Sequence, residues 1–441
     1  QKTLTPRSHH RPMNRLICTN LDAATPASKE ALPSARESGK RSKGPTRILF
    51  INGAELGFAT TSRSLQHYTS LRDDIEAVHF SVVMPNWLRL MCAGFPVKAL
   101  RLAGLDLHGE RQMVAHRLLL KSFLNGPLGV PQNRYDVVHI MTQQRGLMVP
   151  AMSRHTFARF VVNCDATAIA WDRDFEVPRI TPRIHAGMER RIYAACTAVA
   201  CASDWVAQSM INDYGVPAQK IIMHMPCARR TPGIAPRTPD AHVHRPADSP
   251  IKLVFVGNDW PRKGGPRLLR WHQERWAMPK KGQRAELHIC SGAAPQDHSA
   301  KGVVWHGATP HDKLIREILP NCDIFVMPTH EDTFLIAAQE AQTMGLPVVS
   351  TRIAGIPEVV MHGLTGFLYQ RNDEAGYIAA IERLMNEPEL LTRFSAAAAS
   401  HAMRDLSADV WHNHLLDQLV AVADGRNVMF KPLACSTGVS P

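Results

Sequence analysis

Residues 328–358, PTHEDTFLIAAQEAQTMGLPVVSTRIAGIPE, run from a strand end through an acidic loop into a helix, then through a Gly-Leu-Pro turn into a second strand and turn. The strand CDIFVMP closes at Pro328, and residues 329–333 form the polar loop. The helix FLIAAQEAQTM is stopped by Gly345 and Pro347, which favour left-handed backbone and lack an N–H respectively. A helix N-terminus presents unpaired N–H groups and a partial positive charge, a natural seat for a phosphate. Asp332 stands just before that seat and Glu340 about two turns inside the helix. At ~100° per residue the two carboxylates lie ~80° apart around the axis, so they do not clasp one group as a pair. Two readings stay open here. The acids serve different parts of one extended ligand, or Asp332 is an N-cap and Glu340 a solvated helix residue.

The same alternation extends in both directions. IKLVFVG (251–257), AELHICSG (285–292), KGVVWHG (301–307), CDIFVMP (322–328), LPVVST (346–351) and GFLY (366–369) read as short apolar strands separated by helices. An earlier series comprises RILFING (47–53), AVHFSVVMP (77–85), YDVVHIM (135–141), RFVVNCD (159–165) and TAVACAS (197–203). Helical patterns lie between them at 61–71, MVAHRLLLKSFL (113–124) and MERRIYAAC (188–196). Such alternation predicts α/β architecture with parallel, doubly covered sheets. Residues 229–250 hold five prolines and no apolar rhythm, the character of a linker. The expected organisation is a disordered basic tail (1–45), a first α/β domain (46–228), the linker (229–250), a second α/β domain (251–404), a last helix (405–423) and a frayed end (424–441). Two doubly wound domains in series face each other across a cleft, with ligands at the carboxyl ends of the strands.

Composition supports this division. A chain of 441 residues exceeds one ordinary core. With 45% hydrophobic and 20% charged residues it is a globular composition. No apolar run approaches the ~20 residues needed to cross a bilayer. The basic, Pro/Ser-rich N-terminus lacks the apolar core of a signal peptide, so a cytoplasmic protein is expected. Gln1 opens the chain; Met13 is one candidate start, and a fragment is the other reading. The nine cysteines form no Cys-x-x-Cys pair, and Cys196, Cys201, Cys290 and Cys322 lie in apolar runs, as buried free thiols do. The 22 histidines are scattered, so no structural metal site is expected. Up to residue 250 there are 32 Lys and Arg against 19 Asp and Glu; beyond it the balance is 19 against 20. The basic first half fits attraction to an anionic surface or substrate, or a soluble protein from a basic proteome. No recognition motif accompanies the charge, so no nucleic acid is expected.

Two further segments carry chemistry. In VFVGNDWPRKGGPRLL (254–269) a strand ends at Gly257, a polar loop follows, and a helix begins near Gly265 or Pro266. Lys263 just before a Pro-started helix suits anion binding, although in isolation the segment reads first as an exposed basic turn. It is not a Walker A loop. The first loop, NGAELGFATTSRS (52–64), lacks Gly-x-Gly-x-x-Gly, which counts against a dinucleotide site. There Gly57 and Phe58 read either as a turn glycine with a core aromatic or as a point of close backbone approach to a phosphate. NCDATAIAWDRDF (163–175) ends its strand at Asp165.

These motifs together resemble family 4 (group 1) glycosyltransferases over roughly residues 46–423. That family carries Glu-x7-Glu followed by Glu-Ala-x3-Gly-x-Pro-Val; here the run is Asp332-TFLIAAQ-Glu340-AQTMGLPVV, with Asp as the first acid and Glu331 beside it. The resemblance implies a GT-B fold of two Rossmann-like domains, with the last helix packing back on the first. It implies a retaining transferase that moves a sugar from a nucleoside diphosphate sugar to a glycan, lipid-linked or small-molecule acceptor, as in polysaccharide biosynthesis. Asp332 would face the donor sugar and Glu340 the ribose hydroxyls, and backbone amides at Phe334, Leu335 and Ile336 would meet sugar and phosphate. The family often has Gly where Leu335 stands. Lys263 matches the family's phosphate-neutralising Lys, while Asn258 occupies the place of its Arg, with Arg262 as a substitute charge. Gly57 and Phe58 would approach the donor phosphate across the cleft. Asp165, in a position near which many relatives carry His, is the candidate for acceptor contact. Gly355, Glu358, Gly363 and Gly366 read as turn and shape residues. No metal or other cofactor is implied. Peripheral contact with an anionic membrane at its inner face is an expectation from the basic half. The alternatives are a sugar-nucleotide epimerase or phosphorylase on the same scaffold, or a catalytically silent sugar-nucleotide-binding protein.

Overall fold

The computed structural model describes residues 44–53, 56–82, 135–143, 145–153, 156, 158–175, 182–228, 249–277, 284–295 and 299–428. The expected helix at 113–124 lies outside these residues, as do nearly all of the expected tail and linker and most of the frayed end.

Most strands are short runs of β-branched and other apolar residues, buried on both faces as central parallel strands are, while the edge strands Ile75–Val82 and Val303–Trp305 are mostly half-buried. The first sheet contains β1 Thr46–Gly53, β2 Ile75–Val82, β3 Val137–Ile140, β4 Arg159–Cys164, β5 Ala198–Cys201 and β6 Ile221–Met223. Its spatial order is β2-β1-β3-β4-β5-β6, and every pairing is parallel. The second sheet contains β7 Ile251–Val256, β8 Ala285–Cys290, β9 Val303–Trp305, β10 Ile324–Met327, β11 Val348–Thr351 and β12 Gly366–Tyr369. Its order is β12-β11-β10-β7-β8-β9, again parallel throughout. Strand order reverses direction between β7 and β10. The carboxyl ends of these two strands are therefore the switch point of the sheet, where doubly wound folds form a crevice for a ligand.

Helix α1, Leu56–Ser70, starts five residues ahead of the expected Thr61, so Gly57 and Phe58 fall in its first turn rather than in a loop. Their surroundings lie outside the described residues. The other helices used below are α2 Ala168–Phe175, α3 Pro182–Ala195, α4 Asp204–Asn212, α5 Gly265–Arg275, α6 Ile336–Thr343, α7 Glu374–Asn386, α8 Pro388–Arg404 and α9 Ala408–Ala423. Among the described residues no helix is long and apolar enough to cross a membrane. Cys164, Cys196, Cys201, Cys227, Cys290 and Cys322 are free and buried.

The last helix crosses back. α9 packs on α1, β3, β4 and β6 of the first sheet. Tyr68 donates to Asp409 at 2.6 Å, and a buried polar chain runs His139–Asn163–His224–His412–Ser64 with spacings of 2.9, 3.2, 3.2 and 2.9 Å. Burial holds His139 and His412 down to about 4 and His224 far below the ordinary range. Neutral imidazoles can donate from one nitrogen and accept at the other, so they link these elements without bringing charge into the core.

The two domains also meet at the cleft. Gln339 of α6 is fully buried; its amide accepts from Ala228 N–H at 3.0 Å and donates to the Pro226 carbonyl at 2.9 Å. Arg371, after β12, donates to the Asp174 carbonyl at 3.0 Å. Glu358 corrects its expected role as a shape residue. Its carboxylate accepts from the N–H groups of Asp204 (2.9 Å) and Trp205 (3.2 Å), so an acid of the second domain caps helix α4 of the first. Gly355 lies close by, and a Cβ there would stand 2.9 Å from the Ser203 Cβ.

Burial, with Asp204 nearby, raises Glu358 from its ordinary 4.5 to about 8, against the two N–H bonds that favour the charge. An acid whose folded pKa exceeds its unfolded value binds more protons when folded, so its contribution to stability falls as pH rises between those values. Glu358→Gln is therefore expected to flatten the decline in melting temperature between about pH 5 and 8 relative to the parent. Parallel curves for parent and variant would remove Glu358 from this balance. Glu189, raised by burial to about 7, remains in both proteins.

Candidate functional site

The crevice between β7 and β10 is walled by residues 257–264, which follow β7, and 328–335, which follow β10. The walls are stitched together. His330 N–H donates to the Arg262 carbonyl at 2.8 Å, and the Thr329 hydroxyl reaches the same oxygen at 3.2 Å. The Thr329 carbonyl accepts from Thr351 at 2.6 Å, whose hydroxyl accepts from Tyr377 at 2.7 Å. Gly264, with φ of 80°, lets the first wall lie directly against the end of β10.

Lys263 Nζ and Asp332 Oδ2 are 2.6 Å apart, with side chains only 19% and 10% exposed. Charges so close and so little screened interact much more strongly than a surface pair. Gly257 makes room for the Lys263 stem, since a Cβ there would stand 3.3 Å from Lys263 Cγ and Cδ. The expected cation and the expected first acid are thus brought together across 69 residues of sequence.

Asp332 is not the N-cap of α6. The helix starts at Ile336, two residues later than the apolar pattern from Phe334 predicts, and its N-cap is Leu335, which makes no side-chain capping bond. Phe334 and Leu335 are buried, so their apolar side chains serve the core and only their backbone faces a polar task. Leu335 has φ of −96°, a conformation that does not require glycine. Residues 333–335 separate Asp332 from the first-turn N–H groups of α6.

Glu340 is not a solvated residue either. It is buried, and its Oε1 lies 2.8 Å from His311 Nε2. The bond to Glu340 raises the pKa of His311. Nothing in the scattered histidines marked His311, which opens the short helical segment after β9 with no motif around it.

The other expected cation is committed elsewhere. Arg262 Nε binds Asp259 Oδ2 at 2.8 Å and Nη1 binds the Glu331 carbonyl, so Arg262 ties the walls together rather than presenting an open fork. Asn258 accepts from Gly292 N–H at 3.3 Å and holds its loop to the end of β8. Glu331 contributes its carbonyl, which also accepts from Thr329. Asp165, partly buried at the end of β4, has Gln143 and the amides of its own turn as partners; burial raises its pKa against these bonds. Those partners belong to the first domain, and no contact joins Asp165 to Lys263 or Asp332 among the described residues.

Known proteins share this architecture. Sucrose-phosphate synthase from Thermosynechococcus elongatus superposes with a TM-score of 0.64 at 15% identity, covering 86% of this chain and all of that one. The Anabaena Alr3699/HepE protein in complex with UDP-glucose gives 0.58 at 14% identity, covering 85% and 100%. The fold is GT-B, two Rossmann-like domains facing a cleft. Residues 250–387 match the family described as glycosyl transferases group 1. The second domain belongs to the group 1 glycosyltransferases. A D-inositol 3-phosphate glycosyltransferase from Geodermatophilus obscurus is 29% identical over 314 residues, 65% of this chain. The match spans 66% of that relative, just under two thirds of its length.

Proposed function

We propose that the protein is a retaining glycosyltransferase that moves a sugar from a nucleoside diphosphate sugar to a glycan, lipid-linked or small-molecule acceptor. The observation that carries this reading is the Lys263–Asp332 pair four residues ahead of α6, with Glu340 buried about one turn into that helix. A diphosphate entering the crevice competes with Asp332 for Lys263 and takes the N–H groups of the first turn of α6. Preorganised positive charge there stabilises the departing diphosphate, the main electrostatic demand of the reaction. Asp332, released from Lys263, turns to the donor sugar, and Glu340 takes the ribose hydroxyls. The reading asks for no metal, because side-chain and backbone donors supply the positive charge. Asp165 is proposed to contact the acceptor from the first domain. Gly57 and Phe58 are proposed to approach the donor phosphate.

A second reading has its own support. With Asn258 holding Gly292 and Arg262 committed to Asp259, Lys263 is the cation of this motif that meets Asp332 across the crevice. That arrangement suits a protein that binds sugar nucleotides without turnover. Transfer and donor-hydrolysis assays against UDP-, GDP- and ADP-sugars separate the two. Turnover lost in Glu340→Ala is the expected result; tight binding with no turnover in the parent would favour the silent binder. A phosphate-dependent reaction or an epimerised donor would replace both.

A further inference from the structure

A second cavity, of about 500 Å³, lies beside the crevice, between the N-terminal turns of α5 and α7. This volume is within the usual range for small-molecule sites. Three arginines line it, Arg267, Arg270 and Arg371, together with His330 and a single carboxylate, Glu374. That carboxylate is held by Arg270, with Nη2–Oε2 at 2.7 Å and Nη1–Oε1 at 3.1 Å. The lining therefore keeps an excess of positive charge.

Arg267 is the fixed member. Its guanidinium donates to main-chain carbonyls, Nε to Pro328 at 2.8 Å and Nη1 to Arg371 at 2.6 Å, and lies over the rings of Trp271 and Tyr377 at 5.6 and 5.1 Å. Carbonyl oxygens orient a guanidinium without cancelling its charge. His330 reports the local field: burial, then Arg267 and Arg371, lower its pKa. Pro266 opens α5 at the cavity wall, so the positive end of that helix adds to the arginines. Arg267, so held, contributes fixed charge, while the half-exposed Arg270 and Arg371 offer guanidinium planes, which match the oxygens of a phosphate better than a lysine does.

The cavity is separate from the donor seat but shares its walls. Pro261 and His330 line it, whereas Lys263 and Asp332, each two residues further along, pair with each other on the crevice side. Two residues span at most ~7 Å of chain. We propose that this cavity is a second anion site, which takes a phosphate group independently of the nucleotide seat.

Inorganic phosphate titrated into the full-length protein tests the proposal, followed by calorimetry and by the His330 ring resonances. Saturable binding is expected, with the His330 titration moving to higher pH as the anion neutralises its neighbours. Arg267 holds two segments of main chain, so its replacement risks unfolding; Arg270→Gln and Arg371→Gln carry the test instead, with melting curves as the check on folding. Each is expected to weaken phosphate binding about tenfold or more, the scale of one lost charge-assisted contact. With the nucleotide seat saturated by UDP, Lys263→Ala protein that melting curves show to be folded is expected to bind phosphate here as the parent does. No phosphate binding, binding untouched in both arginine variants, or binding abolished by Lys263→Ala or displaced by UDP would each overturn the proposal. Glucose 6-phosphate distinguishes the source of the group. Tighter binding than inorganic phosphate assigns the cavity to a phosphate ester, and equal binding assigns it to the free anion.

Discussion

Lys263→Ala is expected to lower kcat/KM about 100-fold, the effect of removing a charge contact worth ~3 kcal/mol to the departing diphosphate. The same substitution leaves Asp332 buried without its partner, and stripping one member from a buried pair costs about 3–5 kcal/mol of stability. A double-mutant cycle separates the two effects. In the Asp332→Asn background the unpaired charge is gone. If Lys263 acts on the leaving group, Lys263→Ala still costs about 100-fold there. If Lys263 only neutralises Asp332, the second substitution costs nothing further, and the electrostatic part of the mechanism fails. Melting curves for all four proteins show which losses are unfolding.

The Lys263–Asp332 pair also marks how far the sequence could be read. Each residue was legible in its own loop, because short apolar strands punctuated by Gly and Pro define strand ends. The reversal of strand order between β7 and β10 brings those two ends together, and this order follows from the α/β alternation. The partners of Glu340 and Arg262 were not legible. His311 meets Glu340 from the start of a helical segment 29 residues upstream whose only distinction is its position in space. Arg262 looked available because a motif records residue types; Asp259 three residues earlier and the Glu331 carbonyl decide what its guanidinium does. The start of α6 slipped by two residues for a related reason. Phe334 and Leu335 continue the apolar pattern because they are core residues, although the backbone turns helical only at Ile336. The capping of α4 by Glu358 and the His224–His412 contact escaped entirely. Both join parts of the chain that no periodicity connects, 154 and 188 residues apart.

Gly264→Ala is expected to be the most damaging single-methyl change in the second domain. The residue sits at φ of 80°, and an added Cβ would stand 1.9 Å from the Pro328 carbonyl oxygen and 2.7 Å from its carbon. Left-handed backbone costs an alanine ~1–2 kcal/mol by itself. The contact is with main chain at the end of a central strand, so no rotamer change relieves it; one wall of the crevice must move. The loss is expected to reach on the order of 3 kcal/mol or more. Gly363→Ala is the matched control. Its φ is 79° and a Cβ there meets nothing within 4 Å, so it carries the backbone penalty alone. Urea unfolding of the two variants should therefore differ by more than the error of the measurement, with Gly264→Ala the weaker. Equal costs would mean that the 257–264 wall does not press on β10 as described. The position of Lys263 depends on that pressure. Where Gly264→Ala still folds at low temperature, its kcat/KM should fall toward that of Lys263→Ala, while Gly363→Ala keeps the parent value.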